Sequence, residues 1–477
     1  NCTLNNVIVK NCTVLNGSGA AVYMAGNELT PVVLSNATIT SNRLRVNNTN
    51  VFQLGGAGVF VANGSKLSEI KDCTIEANII EGISATGTLE AMGAGIYIVE
   101  GKILNSIINN NKLENSANSA YMHNNFTAGG IAIVPMGVAV PAKSVLIEGS
   151  SISNNVSPSR GGGIIIDPRW SGQYHGTYTL RKCIVSNNKS GSVGGGLLAT
   201  TATRQTGDGW TLNIENSLFT NNSAGTNAAG GGIYINASQI LNVTNATFAN
   251  NLAPNYGGGG IYMQGVANQT IKASFKNVLL WGNESPNRAT HEKQLSNGAQ
   301  LSTLIFSAIQ DYDPAAAHLA PATKGDNVAL NASNTHASGP GFVAPTASPG
   351  YGVEGALSAN WKLQPGSILI DAGDDYLTED LEGNPRPQGD YSDIGAYEYT
   401  AQTAVESLQA ARLRLYSTAN AVVFDNERGA RSMDVFTISG TKVASVQLTS
   451  GMNAVAVAPG QLYIVRIGDQ VAKVLVP

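Results

Sequence analysis

A recurring order of residues constrains this chain more than any other feature. The segment GGGIYINASQILNVTNATFANN, residues 230–251, opens on glycines, runs into a short apolar pulse and closes on paired asparagines. The last small residue before each such pulse is Ala21, Gly58, Gly95, Gly130, Gly163, Gly196, Gly232 and Gly260, at spacings of 37, 37, 35, 33, 33, 36 and 28. The pulses read VYM, VFV, IYI, IAI, III, LLA, IYI and IYM. A second column ends at Asn42, Asn78, Asn111, Asn155, Asn188, Asn222, Asn251 and Asn283, with lead-ins such as KDCTIEAN and NSLFTNN. Self-similarity at this period marks a repeat architecture.

No segment keeps a period of 3.6, and β-branched residues fill short pulses bounded by Gly and Asn, which excludes helical solenoids. A propeller blade needs four strands, and two strong pulses per repeat are visible. The pattern predicts a parallel β-helix, one coil per repeat, with equivalent strands stacked roughly 4.8 Å apart. Gly permits positive φ and close backbone approach at the corners. Asn tolerates the left-handed region, and stacked Asn side chains hydrogen-bond as a ladder. Phe219 and Phe248 are expected to point inward and stack.

Five residues before the ladder asparagines stands a column of mostly small residues, Ala37, Cys73, Ser106, Ser150, Cys183, Ser217, Ala246 and Val278. Cys73 and Cys183 read as small inward fillers too far apart to bridge. A Cys2–Cys12 disulfide is the alternative to two free thiols at the start of the chain.

Charged residues make up 13% of the 477 positions and 54 are glycine, a departure from an ordinary enzyme-like composition. A net charge of −4 provides no basic footprint for nucleic acid. Apolar pulses of four to six residues fall far short of the roughly 20 that a membrane helix needs. The chain starts inside a repeat without a signal peptide, which predicts a processed product. A monomer without cofactor or metal is expected.

The pairing of GGGIY with Phe248-Ala249-Asn250-Asn251, and of GGGLL with Phe219-Thr220-Asn221-Asn222, resembles the repeats of polymorphic outer-membrane proteins. More broadly it resembles pectate-lyase-like right-handed β-helices, and the first of these families implies surface exposure and adhesion. Residues 302–399 resemble the closing part of bacterial surface β-helix proteins of the choice-of-anchor Q type. The match runs through Leu363, Pro365–Ser367, Ile370–Gly373, Gly383–Arg386 and Asp393–Tyr399. Gln364 fills the expected Leu-Pro gap, and Gly-Pro-Gly-Phe replaces the more usual Asp-Pro-x-Phe. This resemblance implies irregular last coils that cap an open core.

After the stretch AQTAVESLQAA come alternating strands with turn signals, which predict a small antiparallel β-sandwich. The ending GQLYIVRIGDQVAKVLV resembles the C-terminal sorting domains of the type IX secretion route of Bacteroidetes. A generic carbohydrate-binding or immunoglobulin-like module is the alternative. The expected fold is therefore all-β: a right-handed parallel β-helix followed by the sandwich. The β-helix spans 1–400, with eight clear coils to about 285 and irregular last coils and cap over 286–400; a linker covers 401–411 and the sandwich 412–477.

Glycoside cleavage needs two carboxylates about 5–10 Å apart. The first 300 residues hold three aspartates, Asp72, Asp167 and Asp208, in different columns. A calcium-dependent lyase would need stacked acidic ligands and a base. One region stands apart: DPRWSGQYHGTY (167–178) and TATRQTGDGW (201–210) belong to adjacent coils. Their Asp167, Arg169, Trp170, Tyr174, His175, Arg204, Asp208 and Trp210 form the candidate patch, with both tryptophans expected in loops. Aromatic faces with flanking donors suit sugar rings; the alternative is that long loops collect such residues as cover. The acidic run from Asp371 to Glu382 reads as turn-forming, with calcium as the alternative. The expected function is a secreted or cell-surface adhesin without enzymatic activity, taking a polysaccharide or cell-surface glycan. The alternative is a polysaccharide lyase or glycoside hydrolase with its site near His175 and Asp208.

Overall fold

The computed structural model describes residues 2–27, 29–47, 54–62, 64–83, 91–115, 126–134, 143–167, 176–200, 210–236, 240–264, 271–297, 301–313, 323–400, 415–426, 432–467 and 470–477. The chain divides into two compact units, Asn1–Tyr399 and Thr400–Pro477.

The first unit is a parallel β-helix. Two sheets of 11 strands, one of nine and one of six run along it. The nine-stranded sheet holds the glycine-led pulses, for example Ile164–Ile166 against Leu197–Ala199 in unbroken register. One 11-stranded sheet, here the ladder sheet, holds the strands just before the ladder asparagines, such as Leu218–Thr220 paired with Thr247–Ala249. The other, the lead-in sheet, holds strands that precede these by one tight turn, such as Thr211–Glu215. Its presence corrects the reading of two strands per repeat. The lead-in strand and the ladder strand are separated by two residues, the first of them left-handed, such as Asn216 at φ 45°, so the two pulses merge in the sequence into one.

The paired asparagines have two distinct jobs. The first of each pair takes the left-handed corner, as Asn187, Asn221 and Asn250 do at φ 52°, 55° and 51°. The second is wholly buried: Asn222 accepts from Asn188 Nδ2 and donates from its own Nδ2 to Asn251 Oδ1, both at 2.9 Å. The ladder runs from Asn42 to Asn283 through Asn78, Asn111, Asn155, Asn188, Asn222 and Asn251. The glycine column packs directly on it. A Cβ on Gly196 would lie 2.6 Å from Gly232 O and 3.0 Å from Asn222 Cγ, so the ladder leaves room for hydrogen alone.

The interior is one continuous apolar cluster from Met24 to Ile309. Phe219 and Phe248 point into it and stack, centroids 4.9 Å apart and rings 16° from parallel. The small-residue column forms a second ladder in places, with Cys73 N–H donating to Ser106 Oγ and Cys183 N–H to Ser217 Oγ, each at 3.1 Å. All four cysteines are free. Burial pushes the Cys183 thiol up to about 12, so it remains a neutral filler.

The end of this unit corrects the expected cap. The lead-in and ladder sheets continue to Thr323–Gly325 and Val328–Leu330, the lead-in sheet with one register shift between Ala273 and Ser274. Among the described residues, the matched tail from Phe342 onward contributes no side chain to the main core cluster. It turns back and lies along the outside of the ladder sheet as a lateral clasp. Outward-facing Leu218, Ala249, Leu279, Trp281 and Ala308 form one cluster with Phe342, Trp361, Leu363, Leu369, Leu381, Ile394 and Ala396. Phe342 sits edge-on to both Trp281 and Trp361, at 5.7 and 5.2 Å. The physical reason is the outer face itself: Leu218–Thr220 and Leu279–Trp281 are buried at every residue, whereas Thr38–Thr40 and Thr74–Glu76 bury only the inward one. An apolar outer face on the later coils requires a second layer.

The second unit packs an antiparallel sheet of three strands and one of four around Val422, Met433, Val435, Val465 and Val476. The alternation of inward apolar and outward polar residues sets this sandwich-like arrangement. No helix among the described residues is long and apolar enough to cross a membrane.

Candidate functional site

The two segments of the candidate patch are rooted on neighbouring coils. Ile164–Ile166 leads into the first and pairs with Leu197–Ala199, which leads into the second. Thr177–Arg181 follows the first and pairs with Thr211–Glu215, which follows the second. Thr200 N–H donates to Ile166 O at 3.0 Å and Thr211 N–H to Gly176 O at 2.8 Å, so entry and exit of both loops are clamped one coil apart. The stacking inferred from the repeat spacing is thus present at the roots.

Two of the eight patch residues are described, and both are buried. Asp167 is 3% exposed, with its N–H donating to Ile133 O at 3.0 Å. Trp210 corrects the expectation of a loop aromatic: it is 1% exposed, inside the main core, edge-on to Tyr178 at 5.3 Å and 80°. Its parity explains this. Trp210 continues the inward set Leu212 and Ile214 of its strand, whose partners across the register are Tyr178 and Leu180. The alternation W-T-L-N-I carried that signal in the sequence. Arg169, Trp170, Tyr174, His175, Arg204 and Asp208 lie outside the described residues.

One feature of this edge was not foreseen. Lys143 stands one coil before Gly176 and pairs with Glu100 at 3.0 Å, their side chains 12% and 3% exposed. Sequence reasoning missed the pair because the segment 135–142 interrupts the repeat between them.

The acidic run of the clasp is a set of capped turns. Asp380 Oδ1 accepts from Glu382 N and Asn384 N at 2.9 and 2.8 Å, and its Oδ2 accepts from Glu398 N at 3.1 Å. Asp375 Oδ1 takes Ser392 N and Oγ, and Asp371 Oδ1 takes Tyr391 N. Arg386 is fully buried as a side chain, pairs with Glu398 at 3.3 Å and donates to Asp393 O and Gly395 O at 2.9 and 2.8 Å. Burial pulls the Arg386 guanidinium down, and burial with the adjacent Glu398 pushes Asp393 up to about 7. These groups hold the clasp shut. Among the described residues no three His, Cys, Asp or Glu side chains are placed to share a cation.

No protein-family model matches the chain, and neither does any curated protein or solved structure.

Proposed function

We propose that this chain is a secreted or cell-surface, adhesin-like protein in which a stiff β-helix presents paired loops to a glycan. The observation that carries the reading is the register that roots segments 168–175 and 201–209 one coil apart. Aromatic and basic residues carried by two segments with neighbouring roots suit a sugar ring, whose faces are apolar and whose rim is polar. Trp170, Tyr174, Arg169 and Arg204 are the contact residues, with Asp167 and Trp210 as their buried anchors. The resemblance to surface β-helix proteins and to secretion sorting domains supports an extracellular location, with the second unit as the sorting or anchoring element. The chain acts as a binder and not as an enzyme.

The test is a panel of acidic and neutral polysaccharides offered to the purified protein, scored for retention and for new reducing or unsaturated ends. Trp170→Ala should reduce retention about tenfold with unchanged thermal stability. Turnover of any polysaccharide that disappears in His175→Ala would instead make the chain a lyase or hydrolase.

A further inference from the structure

The clasp shows that the corner between the ladder sheet and the next strand holds a peptide segment that bends at 347, 348 and 350 and turns at 351–352. Residues 344–352, Ala-Pro-Thr-Ala-Ser-Pro-Gly-Tyr-Gly, lie along it from the coil of Asn250 to that of Asn187. The segment is held through its backbone and through the Thr346 hydroxyl, which accepts from Asn250 Nδ2 at 2.8 Å and donates to Asn221 Oδ1 at 3.1 Å. Asn250 Nδ2 donates to Thr346 O at 2.9 Å, and Asn221 Nδ2 to Ser348 O at 3.2 Å and Gly350 O at 3.4 Å. In return Tyr351 N–H donates to Ser223 Oγ and Gly352 N–H to Asn187 Oδ1, both at 2.7 Å. The track has two rails: the left-handed corner residues Asn187, Asn221 and Asn250, and the residues two further on, Lys189, Ser223 and Leu252, linked by parallel bridges. Gly350 sits so close to the second rail that a Cβ would lie 2.9 Å from Ser223 Oγ and 3.0 Å from Leu252 Cδ2.

The clasp leaves the track at Gly352, but the track goes on. On the earlier coils the corner rail is Asn11, Ser41, Ala77 and Asn110, at φ 59°, 58°, 54° and 54°. The second rail there is Thr13, Arg43, Ile79 and Lys112, in register along the six-stranded sheet. These two rails line an open groove of about 600 Å³, within the range of ligand sites. Among the described residues, the Asn11 and Asn110 side-chain amides have no hydrogen-bond partner, whereas the equivalent amides of Asn221 and Asn250 are occupied by the clasp.

We propose that this groove binds a bent, proline- and Ser/Thr-containing polypeptide segment of another protein, in the manner in which the later coils bind residues 344–352. A polypeptide suits the track because the corner side chains pair with main-chain carbonyls and N–H groups and with a Thr hydroxyl, groups that a segment outside regular secondary structure leaves unpaired. Ala77 interrupts the rail of hydrogen-bonding corners, so the groove is a weaker copy of the clasp seat. The inference does not rest on the glycan reading of the loops.

The probe is a fluorescent synthetic peptide of residues 344–352 carrying a photo-crosslinker at the Tyr351 position, titrated into the full chain. Saturable binding is expected at roughly 10–100 µM, as a short flexible peptide must be ordered on binding. Crosslinks should fall on 11–13, 41–43, 77–79 and 110–112. Ala77→Asn, which installs the usual corner residue and so keeps the fold, should tighten binding about fivefold; Asn110→Ala should weaken it by about the same factor. Absence of saturable binding overturns the proposal, as do crosslinks confined to 187–252, where the peptide would merely displace the clasp. Groove variants that alter polysaccharide retention and leave peptide binding unchanged also overturn it.

Discussion

Asn222→Ala is the sharpest test of the ladder. The Asn222 amide donates to Val185 O at 2.8 Å and to Asn251 Oδ1 at 2.9 Å, and its oxygen accepts from Asn188 N at 3.0 Å and Asn188 Nδ2 at 2.9 Å. All four bonds vanish with the side chain. Asn251 Oδ1 retains the Asn222 N–H and Asn188 Nδ2 retains Ile152 O, but the buried Asn188 N–H loses its acceptor. At about 1 kcal/mol net for each bond, with the stranded N–H at the upper part of the range, the loss sums to about 4 kcal/mol. The control is Asn213→Ala, which removes one half-buried bond from Asn242 Nδ2 on the outer face of the lead-in sheet and should cost under about 1 kcal/mol. Urea unfolding gives the difference, and hydrogen exchange over residues 184–188 and 218–222 locates it, because coils of a solenoid open locally. If Asn222→Ala falls within about 1 kcal/mol of Asn213→Ala, the buried asparagines are fillers and the ladder argument fails.

Phe248→Ala removes half of the inward stack and should destabilise by about 3–5 kcal/mol in the same urea assay. Trp210→Ala should cost a similar amount while Trp210→Phe costs about 1 kcal/mol, because the indole is packing in the core and its Nε1 makes no hydrogen bond among the described residues; equal stability of Trp210→Ala and wild type would return this residue to the surface. The clasp should weaken as pH rises. With Asp393 raised to about 7, the folded chain holds a proton that the unfolded chain releases near pH 4, so stability is fully present at about pH 4 and falls as pH climbs to about 7. Asp393→Asn should flatten that slope in urea midpoints followed by near-ultraviolet dichroism from pH 4 to 8. A slope of the opposite sign would mean that Arg386 and the backbone N–H groups, not burial, govern this carboxyl.

Corner chemistry is local, and so it was readable. A left-handed corner asks for Asn or Gly, a coil-to-coil contact at 2.6 Å asks for Gly, and each requirement returns once per coil, so Gly163, Gly196 and Gly232 and the ladder from Asn42 to Asn283 stood out without any structure. The inward stack of Phe219 on Phe248 followed from the same phase. The lead-in strand was hidden because only two residues separate it from the next, although the alternation in TLNIE was there to be read. Parity likewise marked Trp210 as inward, but a neighbouring polar loop drew it to the surface. The place of the clasp was decided by the tertiary structure alone. Its contacts join residues more than a hundred positions apart, as Asn221 to Ser348 and Lys182 to Glu379 show, and no local preference of either partner encodes the meeting. What brings them together is apolar area on two surfaces, the outer face of the later ladder strands and the Phe342–Trp361–Leu363 group, which bury each other and leave the earlier coils bare. A repeat pattern determines how each coil turns; which coils are covered depends on a surface that exists only after the coils have stacked.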